Sequence, residues 1–252
     1  MNRILLALVL LLAVPTQAEE VVAELSQTSV SITADFTGSD ILLFGAVKRE
    51  DPIPADSSLE VLVTVEGPKV PVTVRRKSKR FGIWINTDAA EIDAAPSFYA
   101  IATTSPIDKV LSQTEDLRHH VTIPRAIRAV DTGAVVSELD TFLEALVRIK
   151  ERADAYQLLE GSVRLTSDTL FSAQFALPSN LTEGIYRTRV FLTRDGRVID
   201  AYETAIDVRK VGLERWIYNL AHQQPLVYGI LSLAIAIAAG WGASAVFRYI
   251  RG

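Results

Sequence analysis

The chain has 252 residues, a formal net charge of −4 and no cysteine. That length leaves room for one large or two small domains plus an anchor. The missing cysteine excludes disulfide scaffolding, thiol catalysis, thiol-linked haem and cysteine-based zinc sites, and the mild acidity argues against nucleic acid as a partner.

Met1-Asn2-Arg3 is a short positive head, Ile4 to Val14 an eleven-residue apolar run, and Pro15-Thr16-Gln17-Ala18 a stretch with small residues at Thr16 and Ala18. Eleven residues fall short of the roughly 20 that a spanning helix needs. The pattern predicts a secretory signal, residues 1–18, cut after Ala18, with an uncleaved anchor as the alternative. Cleavage removes Arg3 and takes the charge from −4 to −5.

Residues 19–104 read as short strands between turn residues: Ser29 to Asp35, Ile41 to Val47, Val61 to Val65, Val70 to Arg75, Phe81 to Asn86 and Phe98 to Thr103. Short strands at a spacing of roughly 8–12 residues without helical period predict a first antiparallel β-sandwich unit. Residues 105–160 form a helical connecting segment. Ser105-Pro106 opens a short helix with Ile107, Val110 and Leu111. Ser137-Glu138-Leu139-Asp140 resembles a capping box. From there Leu139, Phe142, Leu143, Leu146, Val147, Ile149, Ala153 and Tyr156 recur at helical steps, predicting one amphipathic helix from about Glu138 to Leu159.

Strands return in residues 161–210, a second, Ig-like β unit: Ser162 to Thr166, Leu170 to Leu177, Gly184 to Thr193 and Arg197 to Arg209. Asp195-Gly196 is a tight-hairpin signal, because both residues tolerate positive φ. Tyr186, opening a strand after Pro178, matches the tyrosine corner of immunoglobulin-like sandwiches. The fold class expected is therefore mainly β, an antiparallel Ig-like sandwich of one or two units with an inserted helix and a C-terminal membrane span.

Residues 211–225 form a juxtamembrane amphipathic helix with Leu213, Trp216, Ile217 and Leu220 on one face. Trp216, Tyr218 and Tyr228 are the aromatic types that settle at headgroup level, an interface belt. Pro225 suits the first turn of the next helix. Leu226 to Phe247 is then free of charge for 22 residues, enough to cross the roughly 30 Å hydrocarbon core. Residues 248–252, with Arg248 and Arg251, are the expected cytoplasmic tail, too short for a signalling domain. A cleaved signal followed by a late span exports the domain between them. Charge asymmetry supports this direction only weakly, since Arg209, Lys210 and Arg215 flank the other side. Within the span, Ala236, Gly240 and Ser244 recur at four-residue steps, the spacing that lets helix backbones approach closely in lipid. They are candidate helix-packing residues, for self-association or for another membrane protein.

No catalytic or metal-ligating residues are assigned and no cofactor is implied. Nucleophile elbows and phosphate-binding glycine loops are missing from the sequence. His119-His120 is the one histidine pair, and adjacent side chains diverge and chelate poorly. A membrane-tethered metal-dependent hydrolase using both histidines is the alternative to a binding module. Arg75, Arg76, Lys77, Lys79 and Arg80 put five positive charges in six residues. This is either a solvated hairpin turn or a contact for anionic lipid, polysaccharide or an acidic partner.

Several stretches together resemble a family: Leu43-Phe44-Gly45-Ala46, Glu66-Gly67-Pro68, Val74-Arg75-Arg76-Lys77, Gly82-Ile83-Trp84-Ile85-Asn86 and Pro96-Ser97-Phe98-Tyr99-Ala100. Leu170-Phe171, Leu177-Pro178, Gly184-Ile185-Tyr186, Arg194-Asp195-Gly196 and Tyr228-Gly229…Gly240-Trp241…Phe247-Arg248 continue the match over nearly the whole chain beyond the signal. It is similar to the alphaproteobacterial transmembrane protein family that has a signal peptide and one C-terminal span. The resemblance implies a Gram-negative inner membrane, a periplasmic domain, and as a partner hint a sulfite-exporter-like permease encoded beside some members. It supplies no catalytic or binding residues.

Overall fold

The computed structural model describes residues 19–33, 35–49, 58–129 and 136–251. The expected signal segment, and most of the proline-bearing connection at 48–56, lie outside them. In chain order the elements are β1 Glu20–Leu25, β2 Ser29–Ile32, β3 Ser39–Lys48, β4 Leu59–Glu66, β5 Lys69–Arg80, β6 Ile83–Pro96 and β7 Tyr99–Thr103. Four helices follow: α1 Ile107–Val110, α2 Gln113–His119, α3 Ile123–Ala126 and α4 Val136–Arg152. The chain continues with β8 Tyr156–Leu159, β9 Arg164–Thr166, β10 Leu170–Leu177, β11 Gly184–Arg194, β12 Arg197–Lys210, α5 Leu213–Gln223 and α6 Pro225–Arg251. The fold is mainly β with antiparallel sheets and one C-terminal apolar helix, as the strand pattern predicts.

Two compact units emerge: Thr37–Val208 with the described residues up to Val30, and Ser31–Phe36 with Arg209 to the end. Each large sheet combines strands from the early and the late parts of the chain. One sheet has the order β1-β3-β10-β9, the other β2-β12-β11-β4-β7-β8, and β5 and β6 form a two-stranded sheet.

Burial shows how the layers stack. Along β3 and β10 every second side chain is buried, with Ile41, Leu43, Phe171, Ala173, Phe175 and Leu177 inside. That alternation marks a sheet with one wet face. β4 is buried on both faces except at Glu60, which is half-buried. Its Leu-Glu-Val-Leu-Val-Thr-Val run is what a doubly covered strand needs. The second cover is helical. Val110, Val121, Ile123, Phe142 and Leu146 from the helical segment form one core with Leu62, Tyr99, Ile101 and Phe191 of the sheet.

The helical segment exists because of one strand pair. β7 and β8 run parallel, Tyr99 opposite Tyr156 and Ala102 opposite Leu159, and a parallel pair demands a long crossover. This corrects the expected helix: α4 begins at Val136 and stops at Arg152, short of Leu159. Asp154 takes a left-handed φ of 53° and ends the helix, and Tyr156–Leu159 joins the sheet instead. Tyr156 does point into the core, which is why it fitted the helical period, but it does so from a strand. Pairing with β7 satisfies its backbone donors and overrides the local pattern.

Tyr186 forms the expected corner: its hydroxyl donates to the Thr182 carbonyl at 2.9 Å. Both tight hairpins have two consecutive residues at positive φ, Phe81 at 50° with Gly82 at 88°, and Asp195 at 51° with Gly196 at 73°. This is the turn geometry whose twist matches paired strands.

Candidate functional site

The residues flagged in sequence occupy three places. The basic run lies along the outer half of β5, not in the turn itself. β5 and β6 pair from Lys69↔Pro96 out to Arg80↔Ile83, with irregularities after Val70 and Arg76. The hairpin is rooted by Val74, Ile92 and Ala95, which belong to the helical-side core. At the second irregularity Arg76 lies over the Phe142 ring, 5.2 Å from its centre, and pairs with Asp88 at 3.0 Å. Bonds from the Thr87 side chain and then from Arg76 hold the Asp88 carboxyl below the usual carboxylate range.

Beyond that point only the Ser78 hydroxyl is shielded: Lys77, Lys79 and Arg80 are exposed, as are Ile83, Trp84, Ile85 and Asn86. Phe81 at the turn is 105% exposed and Trp84 68%. Among the described residues no ion pair holds Lys77, Lys79 or Arg80. From Lys69 to Thr87 the sequence has six cations and no carboxylate. The five basic residues are thus brought together with an apolar tip that the charge count alone did not flag. The signal was present in Phe81-Gly82-Ile83-Trp84-Ile85, where strand alternation would put apolar side chains on both faces of a two-stranded ribbon.

The second place is α5 and α6. Trp216 and Tyr218 are exposed. Trp216, Leu220, Gln223 and Gln224 line a shallow groove, and the Tyr218 ring stacks on His222 at 4.0 Å. Pro225 starts α6, whose Pro225–Ser244 stretch is long and apolar enough to cross a membrane. Ser232 within it donates back to the Tyr228 carbonyl at 2.8 Å, which satisfies a hydroxyl that lipid could not. Side chains added at Gly240 or Gly242 would meet nothing within 4 Å.

The third place is His119-His120, which the fold uses structurally. His119 sits edge-on to Phe191, ring centres 5.3 Å apart, with Nε2 3.4 Å from Glu115 Oε2. His120 ends α2 in a left-handed conformation, φ 49°. Its neighbours explain the corner: Asp116 accepts from the backbone of Val121 and Thr122 and from the Thr122 hydroxyl at 2.8–3.1 Å. Arg189 on β11 donates to the His119 carbonyl at 2.7 Å and to the Tyr99 hydroxyl at 3.3 Å, and Tyr99 donates to the Val121 carbonyl at 2.7 Å. Burial raises the pKa of both Tyr99 and Tyr156. Among the described residues no group of three or more His, Asp or Glu side chains could hold a metal ion.

One further exposed area lies on the wet face of the four-stranded sheet, where Val22, Leu42, Phe44 and Leu170 stand outward beside the Glu20–Lys48 ion pair.

No curated protein matches the chain. A family model described as "Putative transmembrane protein (Alph_Pro_TM)" matches residues 20–249, from β1 through α6. A match over that span carries both the β domain and the apolar helix, and a transmembrane family with one candidate span among the described residues fits a membrane location. The chain belongs to the Alph_Pro_TM family of transmembrane proteins.

Proposed function

We propose that the protein is a single-pass inner-membrane protein whose Ig-like β domain is exported to the periplasm and serves another envelope or membrane-transport component as a binding or accessory module. The observation that carries this reading is α6. Its apolar stretch is not buried within the molecule, and its Gly240 has open space around it. Ala236, Gly240 and Ser244 share one face, and in lipid a face of small residues gains close van der Waals contact with a second helix. An anchor alone has no use for it. The aromatic residues Trp216, Tyr218 and Tyr228 flank the start of the span, as an interface belt would.

The test is copurification from native membranes in mild detergent. A stoichiometric companion, with a sulfite-exporter-like permease the first to look for, is expected. Gly240→Leu should lose that companion while inserting normally. A chain that elutes alone, or a complex indifferent to Gly240→Leu, overturns the reading. A phosphatase fused after Lys210 should be active, and an inactive fusion overturns the export of the domain.

A further inference from the structure

We propose that the tip of the β5–β6 hairpin is a lipid-contact site, which sets Phe81, Ile83 and Trp84 into the interfacial layer of an anionic bilayer while Lys77, Lys79 and Arg80 engage lipid phosphates. This rests on the membrane anchoring of the chain and not on the partner proposed for α6.

The tip breaks a local rule with no gain to the fold. Phe81 occupies a left-handed position, which bulky residues rarely adopt and which Asn, Asp or Gly fill at little cost. Its side chain is fully exposed, so no core packing offsets the strain. Departures of this kind point to a demand outside the fold.

The composition then selects the occupant. An acidic protein groove would call for the cations and not for Phe81 and Trp84. An apolar protein pocket would call for the aromatics and not for a run of cations without a single acid. A bilayer interface calls for both, because an apolar layer begins just beneath a layer of phosphates, and tryptophan favours that boundary. Anionic headgroups attract clustered Lys and Arg over a Debye length.

Reach is sufficient. Four paired rows, Lys77↔Asn86 to Arg80↔Ile83, stand beyond the last irregularity, roughly 10 Å of ribbon at about 3.4 Å per residue. The headgroup layer on each side is thinner, about 5–7 Å. The chain also carries its own candidate span, and a tether of that kind raises the effective concentration of lipid around the domain.

The full chain, with Trp216→Phe and Trp241→Phe so that Trp84 is the one remaining tryptophan, is reconstituted into phosphatidylcholine vesicles with and without phosphatidylglycerol. Flotation with the vesicles confirms anchoring first. In the anionic vesicles Trp84 emission should shift to the blue, be quenched several-fold more by acyl-brominated lipid than in the neutral ones, and resist iodide. Lys77→Glu with Lys79→Glu should abolish the difference with an unchanged circular dichroism spectrum, and Phe81→Ser should weaken the quenching. Trp84 that stays iodide-accessible in floated anionic vesicles overturns the proposal. So does Trp84 that is shielded in native membranes but not in lipid alone, a result that assigns the tip to a protein partner instead.

Discussion

The two tight hairpins share a backbone and differ in everything attached to it. At the β11–β12 tip, Asp195-Gly196 has the residues its turn favours, and the Gly196 carbonyl accepts from the Ser112 backbone at 2.8 Å. At the β5–β6 tip, Phe81-Gly82 has a residue its turn disfavours, and a side chain added at Gly82 would meet nothing within 4 Å. β11 lies inside a six-stranded sheet and is buried on both faces from Val190 to Thr193, whereas the outer rows of β5 and β6 carry no buried residue. The lesson is that two turns of the same positive-φ kind can serve closure of a core or presentation of a surface. Which one each serves is decided by whether the turn residues have neighbours.

The largest effect separating them should come from Gly196→Val. A branched side chain at φ 73°, with its Cβ about 3.2 Å from the Ser112 nitrogen, adds strain to a tight contact and should lower stability by about 2–3 kcal/mol. Gly82→Val faces the strained φ alone and should cost about 1–2 kcal/mol. Thermal unfolding of the solubilised chain by near-ultraviolet circular dichroism checks the gap, and equal losses would mean that docking on Ser112 contributes nothing.

Opposite ends of the pH scale should loosen the two regions separately. Tyr99 and Tyr156, raised above their ordinary 10.0 by burial, stay neutral in the folded sheet when unfolded tyrosine would ionise. Their contribution is therefore present below pH 10 and lost as pH rises above it, through the raised pKa of the folded state. Asp88, lowered from its ordinary 3.8, works in the other direction: its contribution is present above that value and lost as pH falls below it. Tyr99→Phe should blunt the alkaline transition seen in tyrosinate absorbance and, by leaving the Val121 carbonyl without its donor, cost about 1–2 kcal/mol at neutral pH. Asp88→Asn should leave the alkaline transition alone and soften only the acid one.

The smallest change is the most diagnostic. Phe81→Asn replaces an aromatic with a residue at ease at positive φ, so stability should stay level or rise by about 0.5–1 kcal/mol, while the response to anionic vesicles weakens. A loss of stability would show that Phe81 serves the hairpin and not a surface beyond it.

Much of this was legible residue by residue. Alternation marked β3 and β10, the Asp-Gly pair marked the β11–β12 turn, Tyr186 marked its corner, and an uncharged run marked the span. The end of α4 was not legible, because Tyr156 satisfies a helical period and a strand alternation equally. The hairpin's aromatic tip escaped notice for a related reason: apolar residues in a strand ordinarily mean core, and sequence has no sign for a strand whose two faces are both bare. The arginine on β11 that ties Tyr99 to the histidine corner was silent as well, since its partners lie about 70 and 90 positions away.

By itself the sequence determined the ends and the local rules: an apolar length that matches a bilayer, turn residues that accept positive φ, and periods that separate strand from helix. These follow from the chemistry of each residue and its near neighbours. Tertiary structure alone decided that β10 closes against β3 and β11 against β4, that α4 yields to β8, and that the basic run stands beside exposed aromatics. Those outcomes depend on which distant strand supplies the missing hydrogen bonds and which side chains are left without cover, and such long-range pairings are written in no single stretch of chain.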